Sequence, residues 1–293
     1  MIDIIDNLKE SAIQIYNILK KADPNVISKS SNTINSSGDN VQTIDLVAND
    51  ILCEGLKNCN NIKEIVSEEE EDIIKVNNNG EYLVSLDPLD GSQNIEVNIT
   101  CGIIFGIYRN YPIKNGRNII CSGYFLFSSS LQLIITYQEQ PVQLFTYYNE
   151  KWRFDKNLII PDKNKIYSIN EGKQYEWNSK SVQIFVEILK RQNRSIRLAA
   201  CFVTEVHRIL QQGGIFLYPT DKKCPSGKLR LLYECFPMSF IVENAGGISL
   251  DTINNILDKE IPNKLHERSP IILGSKKDVE LYKTIYNLFN LQV

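Results

Sequence analysis

Histidine is almost missing from this chain, with two residues in 293; methionine and tryptophan also stand at two each. Neither His207 nor His266 has a second His or Cys beside it at metal-ligating spacing, which leaves both as structural hydrogen-bonders and argues against a His/Cys zinc site. Glycine (15) and proline (10) are sparse, which excludes a collagen-like chain and argues against extended disorder. The seven cysteines form no CxxC pair and are odd in number, so they read as reduced, mostly buried thiols. Cations do not exceed anions: 32 Lys and Arg stand against 35 Asp and Glu, a net charge of −3, which excludes a basic footprint for nucleic acid or acidic lipid. No apolar run approaches the roughly 18 residues of a membrane span, so no membrane partner is expected. Residues 1–6 carry acid where a targeting peptide carries Lys or Arg. What is there, 43% hydrophobic and 23% charged residues, is the balance of an ordinary soluble globular protein, and the reduced thiols suggest a cytoplasmic one. At about 150 residues per domain, the length suggests two.

Ile5, Leu8, Ala12, Ile15 and Leu19 recur at three- and four-residue spacing, the apolar face of a helix over residues 2–21 that Pro24 stops. Residues 23–40 are rich in Ser and Asn and poor in apolar side chains, the composition of a lid or a disordered loop. Ile44, Val47, Ile51 and Leu56 mark a second helix, with Thr43 as its N-cap. Strands are expected at 82–86, 101–108, 118–126 and 131–137, where β-branched and aromatic residues gather between Asn, Gly and Ser. The apolar pattern breaks at Asn149-Glu150-Lys151 and again over residues 161–164, and the chain is divided there into domains 1–157 and 158–293. Beyond the break come a helix at 181–191, a strand near 196–200, a helix at 204–211 stopped by Gly213-Gly214, and a strand at 215–219. A helix near 237–244 closed by Gly246-Gly247 and a strand at 271–273 follow. This alternation favours an α/β (α+β) fold with mixed sheet between helix layers.

Two acidic segments stand out. Glu68-Glu69-Glu70-Glu71-Asp72 alone reads as a solvated charge run. The second lies where the strand at 82–86 runs into Asp87-Pro88-Leu89-Asp90-Gly91-Ser92. Pro88 is expected to end the strand and force a turn, placing Asp87 and Asp90 together with the Leu89 carbonyl turned the same way. Gly91 permits close backbone approach to a ligand, and the N–H groups after it can form an anion nest. Two carboxylates and a backbone oxygen suit hard Mg²⁺, with water and a phosphate completing its shell. Like charges about 4 Å apart repel by about 4 kcal/mol at an effective dielectric of about 20. If Glu68, Asp87 and Asp90 converge, a cation belongs among them.

The run Asp87-Pro88-Leu89-Asp90-Gly91-Ser92-Gln93-Asn94-Ile95 resembles the signature of class I fructose-1,6-bisphosphatases, within the metal-dependent, lithium-sensitive sugar and inositol phosphatases. Further segments match the same family in order: Gly38-Asp39 with Asp45, Ser67-Glu68-Glu69, the stretch from Gly102 to Arg109, Val206-His207-Arg208, and the stretch from Gly213 to Pro219. The stretches from Gly227 to Glu234, Glu243 to Gly247 and Leu265 to Pro270 complete a resemblance that spans nearly the whole chain. It implies a layered α-β-α-β-α sandwich with two mixed sheets between helix layers. The implied activity is hydrolysis of the 1-phosphate of fructose 1,6-bisphosphate by a metal-activated water in gluconeogenesis. Sedoheptulose 1,7-bisphosphate or another sugar or inositol phosphate is the alternative substrate, and a non-catalytic binder the reading from another class.

By the same resemblance, Glu68, Asp87, Asp90 and Glu234 ligate Mg²⁺, two to three ions per subunit with Mn²⁺ as the other candidate. The Leu89 carbonyl contributes to a second ion and Asp39 to a third. Asp45 and Glu69 share a proton and activate the attacking water, as close carboxylates with split pKa values can. Asn170, Arg197, Tyr218 and Lys228 hold the distal phosphate, Arg197 reaching in from a neighbouring subunit of at least a dimer and, by resemblance, a homotetramer. Asp90, Gly91, Ser92, Gln93, Leu229 and Arg230 face the cleaved end of the substrate. Three departures from the family pattern are expected to matter. Lys173 and Leu198 stand where tyrosines usually join the distal site, and Gln93 and Glu96 replace Ser and Asp. The chain also begins later than AMP-inhibited members, and Glu81 replaces a phosphate-binding Lys, from which insensitivity to AMP is expected.

Overall fold

The computed structural model describes residues 1–21, 30–34, 40–109, 112–163, 165–261 and 264–290. The N-terminal half begins with helix α1 (Ile2–Lys21) and, beyond the short pair β1 (Ser30–Ile34) and β2 (Asn40–Gln42), helix α2 (Thr43–Lys57). It continues with β3 (Ile62–Ser67), β4 (Ile74–Lys75), β5 (Tyr82–Asp90), β6 (Cys101–Tyr108), β7 (Ile119–Phe127), β8 (Leu131–Tyr137), β9 (Val142–Tyr148) and β10 (Lys151–Leu158). These form one eight-stranded sheet in the order β10-β9-β8-β7-β6-β5-β3-β4, antiparallel throughout except for the parallel β3–β5 pair. The amphipathic faces of α1 and α2 cover one side of it: Ile5, Leu8, Ala12 and Ile15 pack with Ile44, Ala48 and Leu52 over Ile65, Val84 and Phe105.

The second half contains β11 (Ile166–Ser168), α3 (Lys180–Arg191), β12 (Ser195–Ile196), α4 (Phe202–Gln212), β13 (Ile215–Tyr218), β14 (Leu229–Arg230) and α5 (Phe236–Asn244). It ends with β15 (Ile248–Leu250), β16 (Arg268–Ser269), β17 (Ile271–Gly274) and α6 (Lys276–Asn290). Its five-stranded sheet runs β12-β11-β13-β17-β15 and mixes parallel and antiparallel pairs. Helices α4 and α5 lie between the two sheets, contributing Phe202, Val206, Phe236 and Ile241 to the central core, while α3 and α6 cover the far side through Phe185 and Tyr282. The layers are therefore α-β-α-β-α, the central strands of each sheet buried on both faces as the expected sandwich requires.

Most of the expected helices and strands are present, and three differences have physical causes. Pro88 does not end its strand. β5 continues to Asp90 through a bulge: Asp87 pairs with Ile104 and Asp90 with Gly102, so β5 spends one extra residue there. A bulge is one of the few places where a sheet accepts proline, and the Leu89 N–H turns to the Asp87 side chain at 3.1 Å. The chain reverses at Gly91 instead, whose φ is 76°. The apolar break at Asn149-Glu150 is a two-residue hairpin turn, both residues at positive φ (46° and 61°), joining β9 to β10. β3 ends where the acidic run starts, and α6 follows the last strand; neither is marked in the sequence reading. The strand near 196–200 is reduced to β12, because the Ala199 N–H and carbonyl pair with the Glu205 and Asn94 side chains rather than with a neighbouring strand.

His207 on α4 illustrates the polar trim of the central core. Its Nδ1 lies 3.0 Å from the Tyr124 hydroxyl, and burial lowers its pKa from 6.5 to about 4, helped by Lys156 and Arg208. The unfolded chain takes up a proton near pH 6.5 and the folded one does not, so stability falls as pH drops from 6.5 toward 4, by on the order of 2 kcal/mol. His207→Gln should flatten that part of the profile in urea denaturation at pH 7 and pH 5.

Candidate active site

The two halves meet around a cavity of about 420 Å³. One wall comes from the eight-stranded sheet and its loops: Glu68 and Glu69 just past β3, Asp87, Leu89 and Asp90 at the end of β5, then Gly91, Ser92 and Gln93. Asp45, in the first turn of α2, faces the same space and accepts a hydrogen bond from Ser92 Oγ at 3.2 Å. One helical turn on, Asn49 accepts from Ser67 Oγ at 2.7 Å and donates to Glu70 at 2.7 Å. That pair anchors the acidic run to α2, so the Glu68–Glu69 segment is held at the cavity rather than free in solvent. The opposite wall comes from the C-terminal half: Asn170, Lys173, Tyr218, Lys228, Leu229, Arg230 and Glu234.

Three carboxylates converge. Asp87, Asp90 and Glu234 each offer an oxygen, and these lie within 4.8 Å of one another. Asp87 and Glu234 are buried, at 4% and 6% exposure. Asp87 is pushed well above the ordinary carboxylate range, first by burial and then by the charges of Glu68, Asp90 and Glu234. Glu234 is raised by burial, then by Glu68 and Asp90, despite accepting the Arg230 N–H. Burial raises Asp90 too, against the opposing donation of the Val203 N–H at 2.5 Å and the Cys201 thiol at 3.1 Å. Buried oxygen ligands that repel one another at this spacing fit a hard divalent cation, which would replace the protons they otherwise hold.

Glu68 stands slightly apart, its carboxylate 3.3 Å from the Arg230 guanidinium. Arg230 is 2% exposed and reaches the Lys228 carbonyl at 3.4 Å, so it lies along the floor between acids and donors. Glu234 reaches the cluster because residues 231–235 form a single π-helical turn ahead of α5, a wide turn that points this acid back toward β5. Lys173 is held by Asp221 at 3.0 Å, and the buried Asp221 also accepts the Lys223 and Cys224 N–H groups at 2.9 and 2.7 Å. Leu198 lines the cavity as an exposed apolar side chain. Arg197 is exposed, does not line this cavity, and donates to the Ile196 carbonyl at 2.8 Å. Asp39 lies outside the described residues.

Against families of known proteins, residues 1–156 match the fructose-1,6-bisphosphatase N-terminal domain and residues 160–287 the C-terminal domain of the same enzyme. The chain belongs to the fructose-1,6-bisphosphatase family. It is 38% identical to fructose-1,6-bisphosphatase of Schizosaccharomyces pombe over 95% of this chain and 84% of that protein. It is 39% identical to the cytosolic fructose-1,6-bisphosphatase of Solanum tuberosum over 86% of this chain and 79% of that one. The holo-form crystal structure of Leishmania major fructose-1,6-bisphosphatase superposes with a TM-score of 0.91 at 30% identity, over 96% of this chain and 93% of that one. Members of this family are metal-dependent phosphatases acting on a sugar bisphosphate. Among the described residues no helix is long and apolar enough to cross a membrane.

Sequence reasoning missed several residues of this cavity. Cys201, Phe202 and Glu205 line it, and the Val203 N–H supports Asp90. They come from α4 and the turn before it. The apolar spacing there marks only a helix, and nothing local shows that its first turn abuts the end of β5. Gly102 makes that approach possible: a Cβ there would meet the Phe125 carbonyl at 2.3 Å and Val203 Cγ1 at 2.9 Å.

Proposed function

We propose that this chain removes the 1-phosphate of D-fructose 1,6-bisphosphate, yielding fructose 6-phosphate and inorganic phosphate, a step of gluconeogenesis. One observation carries the reading: gathered, mutually repelling carboxylates and a set of cationic and hydroxyl donors face one cavity. Such a cavity suits a small molecule with a phosphate at each end. The family relation favours this substrate over sedoheptulose 1,7-bisphosphate or an inositol phosphate, and the intact acids argue against a non-catalytic binder.

Asp87, Asp90 and Glu234 would hold Mg²⁺, with Glu68 and the Leu89 carbonyl serving a second ion and Asp39 a third; Mn²⁺ is the other candidate. Bound there, divalent cations supply charge neutralisation at the phosphoryl group and acidify water. Glu69 and Asp45 share one proton between them, one accepting from the attacking water while the other keeps its own. The backbone N–H groups after Gly91, with Ser92, Gln93, Leu229 and Arg230, orient the phosphate that leaves. Asn170, Tyr218 and Lys228 bind the distal phosphate, and the exposed Arg197 serves the cavity of a neighbouring subunit in a homotetramer. Residues 1–157 thus act as the metal and catalytic-loop domain and 158–293 as the substrate-binding domain of a cytoplasmic enzyme.

Phosphate release from fructose 1,6-bisphosphate, sedoheptulose 1,7-bisphosphate and inositol 1-phosphate, each with Mg²⁺, tests the reading; the highest kcat/KM is expected for the first. Lys173 provides a finer test. Lys173→Gln keeps a hydrogen-bond partner for the buried Asp221 but removes a charge from the substrate wall. It should raise KM for the bisphosphate by on the order of tenfold with little change in kcat, the signature of lost uniform binding.

A further inference from the structure

Both backbone polar groups of Ala199 are held by buried side chains. Its N–H donates to the Glu205 carboxylate, and its carbonyl accepts from the Asn94 side-chain amide at 3.0 Å. The same amide donates to the Thr100 carbonyl at 3.1 Å, which fixes Asn94 to the base of β6. Asn94 and Glu205 are both buried, at 8% and 2% exposure. They come from different parts of the fold, Asn94 from the short turn after Asp90 and Glu205 from α4. The residue that follows, Ala200, has a φ of 54°. Left-handed backbone is unfavourable for alanine and persists only where the surroundings impose it. The held Ala199 carbonyl belongs to the peptide that enters Ala200, and Leu198, Ala200 and Cys201 on either side of Ala199 all line the cavity.

We propose that Asn94 and Glu205 are positioning residues. By holding the two peptide groups that meet at Ala199, the second of which enters Ala200, they keep Ala200 in its left-handed conformation and set the wall against which the sugar rests between its two phosphates. This rests on the bisphosphatase reading above. Two further features tie the wall to the acids: the Cys201 thiol lies 3.1 Å from Asp90 Oδ2, and a Cβ on Gly91 would come within 2.7 Å of Cys201 Cβ. The turn after β5 and the segment before α4 therefore fit as one piece. Glycine at position 200 would adopt the same backbone without coercion, so the need for the grip is specific to alanine.

The test is steady-state kinetics on Asn94→Ala, Ala200→Gly and the double variant. Asn94→Ala should raise KM for fructose 1,6-bisphosphate on the order of tenfold, with kcat and the Mg²⁺ activation constant within about twofold. The fold rise in KM caused by Asn94→Ala should be much smaller in an Ala200→Gly background than in the unaltered protein, whatever Ala200→Gly does alone, because glycine needs no grip. An unchanged KM in Asn94→Ala, or the same fold rise in both backgrounds, would overturn the proposal. Should Asn94→Ala fail to fold, Glu205→Ala against Glu205→Gln makes the same comparison: KM rises only for alanine, because glutamine keeps an acceptor for the Ala199 N–H. Equal KM in those two would overturn it as well. No turnover by the unaltered protein would sink the bisphosphatase reading. Hydrogen exchange over residues 197–203 then judges the grip separately, faster exchange in Asn94→Ala being expected and equal exchange contradicting it.

Discussion

Asp90→Asn should lower kcat by on the order of a thousandfold, since a lost cation contact removes several kcal/mol of transition-state stabilisation and each 1.4 kcal/mol is tenfold. The protein should nevertheless remain folded. Asp90 Oδ2 accepts the Val203 N–H at the start of α4, whose own N-cap residue, Cys201, makes no side-chain capping bond. Asp90 thus caps α4 from another strand, and asparagine can do the same. Its neutral amide also relieves repulsion with Asp87 and Glu234, so metal-free Asp90→Asn should be at least as stable as the unaltered protein at pH 8. Asp90→Ala loses the cap and the charge together and should be less stable than Asp90→Asn by about 1–2 kcal/mol. Equal stability of the two variants would show that the carboxylate has no part in holding α4.

Metal removal should have the second large effect, on activity and on the pH dependence of stability. Asp87, Asp90 and Glu234 are all raised above their ordinary values, 3.8 for the aspartates and 4.5 for the glutamate. In the metal-free protein the folded state holds protons that the unfolded chain has already released. Stability therefore falls as pH rises through the raised folded values. Below pH 6.5 the opposite slope from His207 overlaps, so the carboxylate effect is read in the His207→Gln background. Divalent cation should abolish the decline: at a hundredfold excess over Kd it contributes about 2.7 kcal/mol per site, several degrees in Tm. Thermal melts of His207→Gln at a series of pH values from 4.5 upward, in chelator and in Mg²⁺, check this. A Tm in chelator that nowhere falls as pH rises would contradict it. In the same chelator, turnover should fall below detection.

The parts of the molecule legible in the sequence are those whose signal is local. The amphipathic spacing of α1 and α2 and the β-branched runs of β6 and β8 dictate their own burial, and Asp87 and Asp90 are close because they share one strand end. The bulge at Pro88 was not legible, because its pairing with β6 decides whether the strand survives the proline. The β9–β10 hairpin shows in the sequence only as a break in the apolar pattern, because its turn residues are polar and β10 is largely exposed on its edge. Glu234 joins the acids only through the π-turn before α5, and without the family resemblance nothing in its neighbours marks it as a partner of β5. The Ala199 grip is the extreme case. Its residues, 94, 199 and 205, have ordinary local contexts and acquire a role only when two sheets are brought together.

The most direct measurement is phosphorus NMR of fructose 1,6-bisphosphate incubated with the protein, in Mg²⁺ and in excess chelator. Loss of the 1-phosphate signal with the 6-phosphate signal retained, in Mg²⁺ alone, is the expected result. Loss of the 6-phosphate, equal hydrolysis in chelator, or no hydrolysis in Mg²⁺ would contradict a site in which gathered carboxylates hold cations against the 1-phosphate.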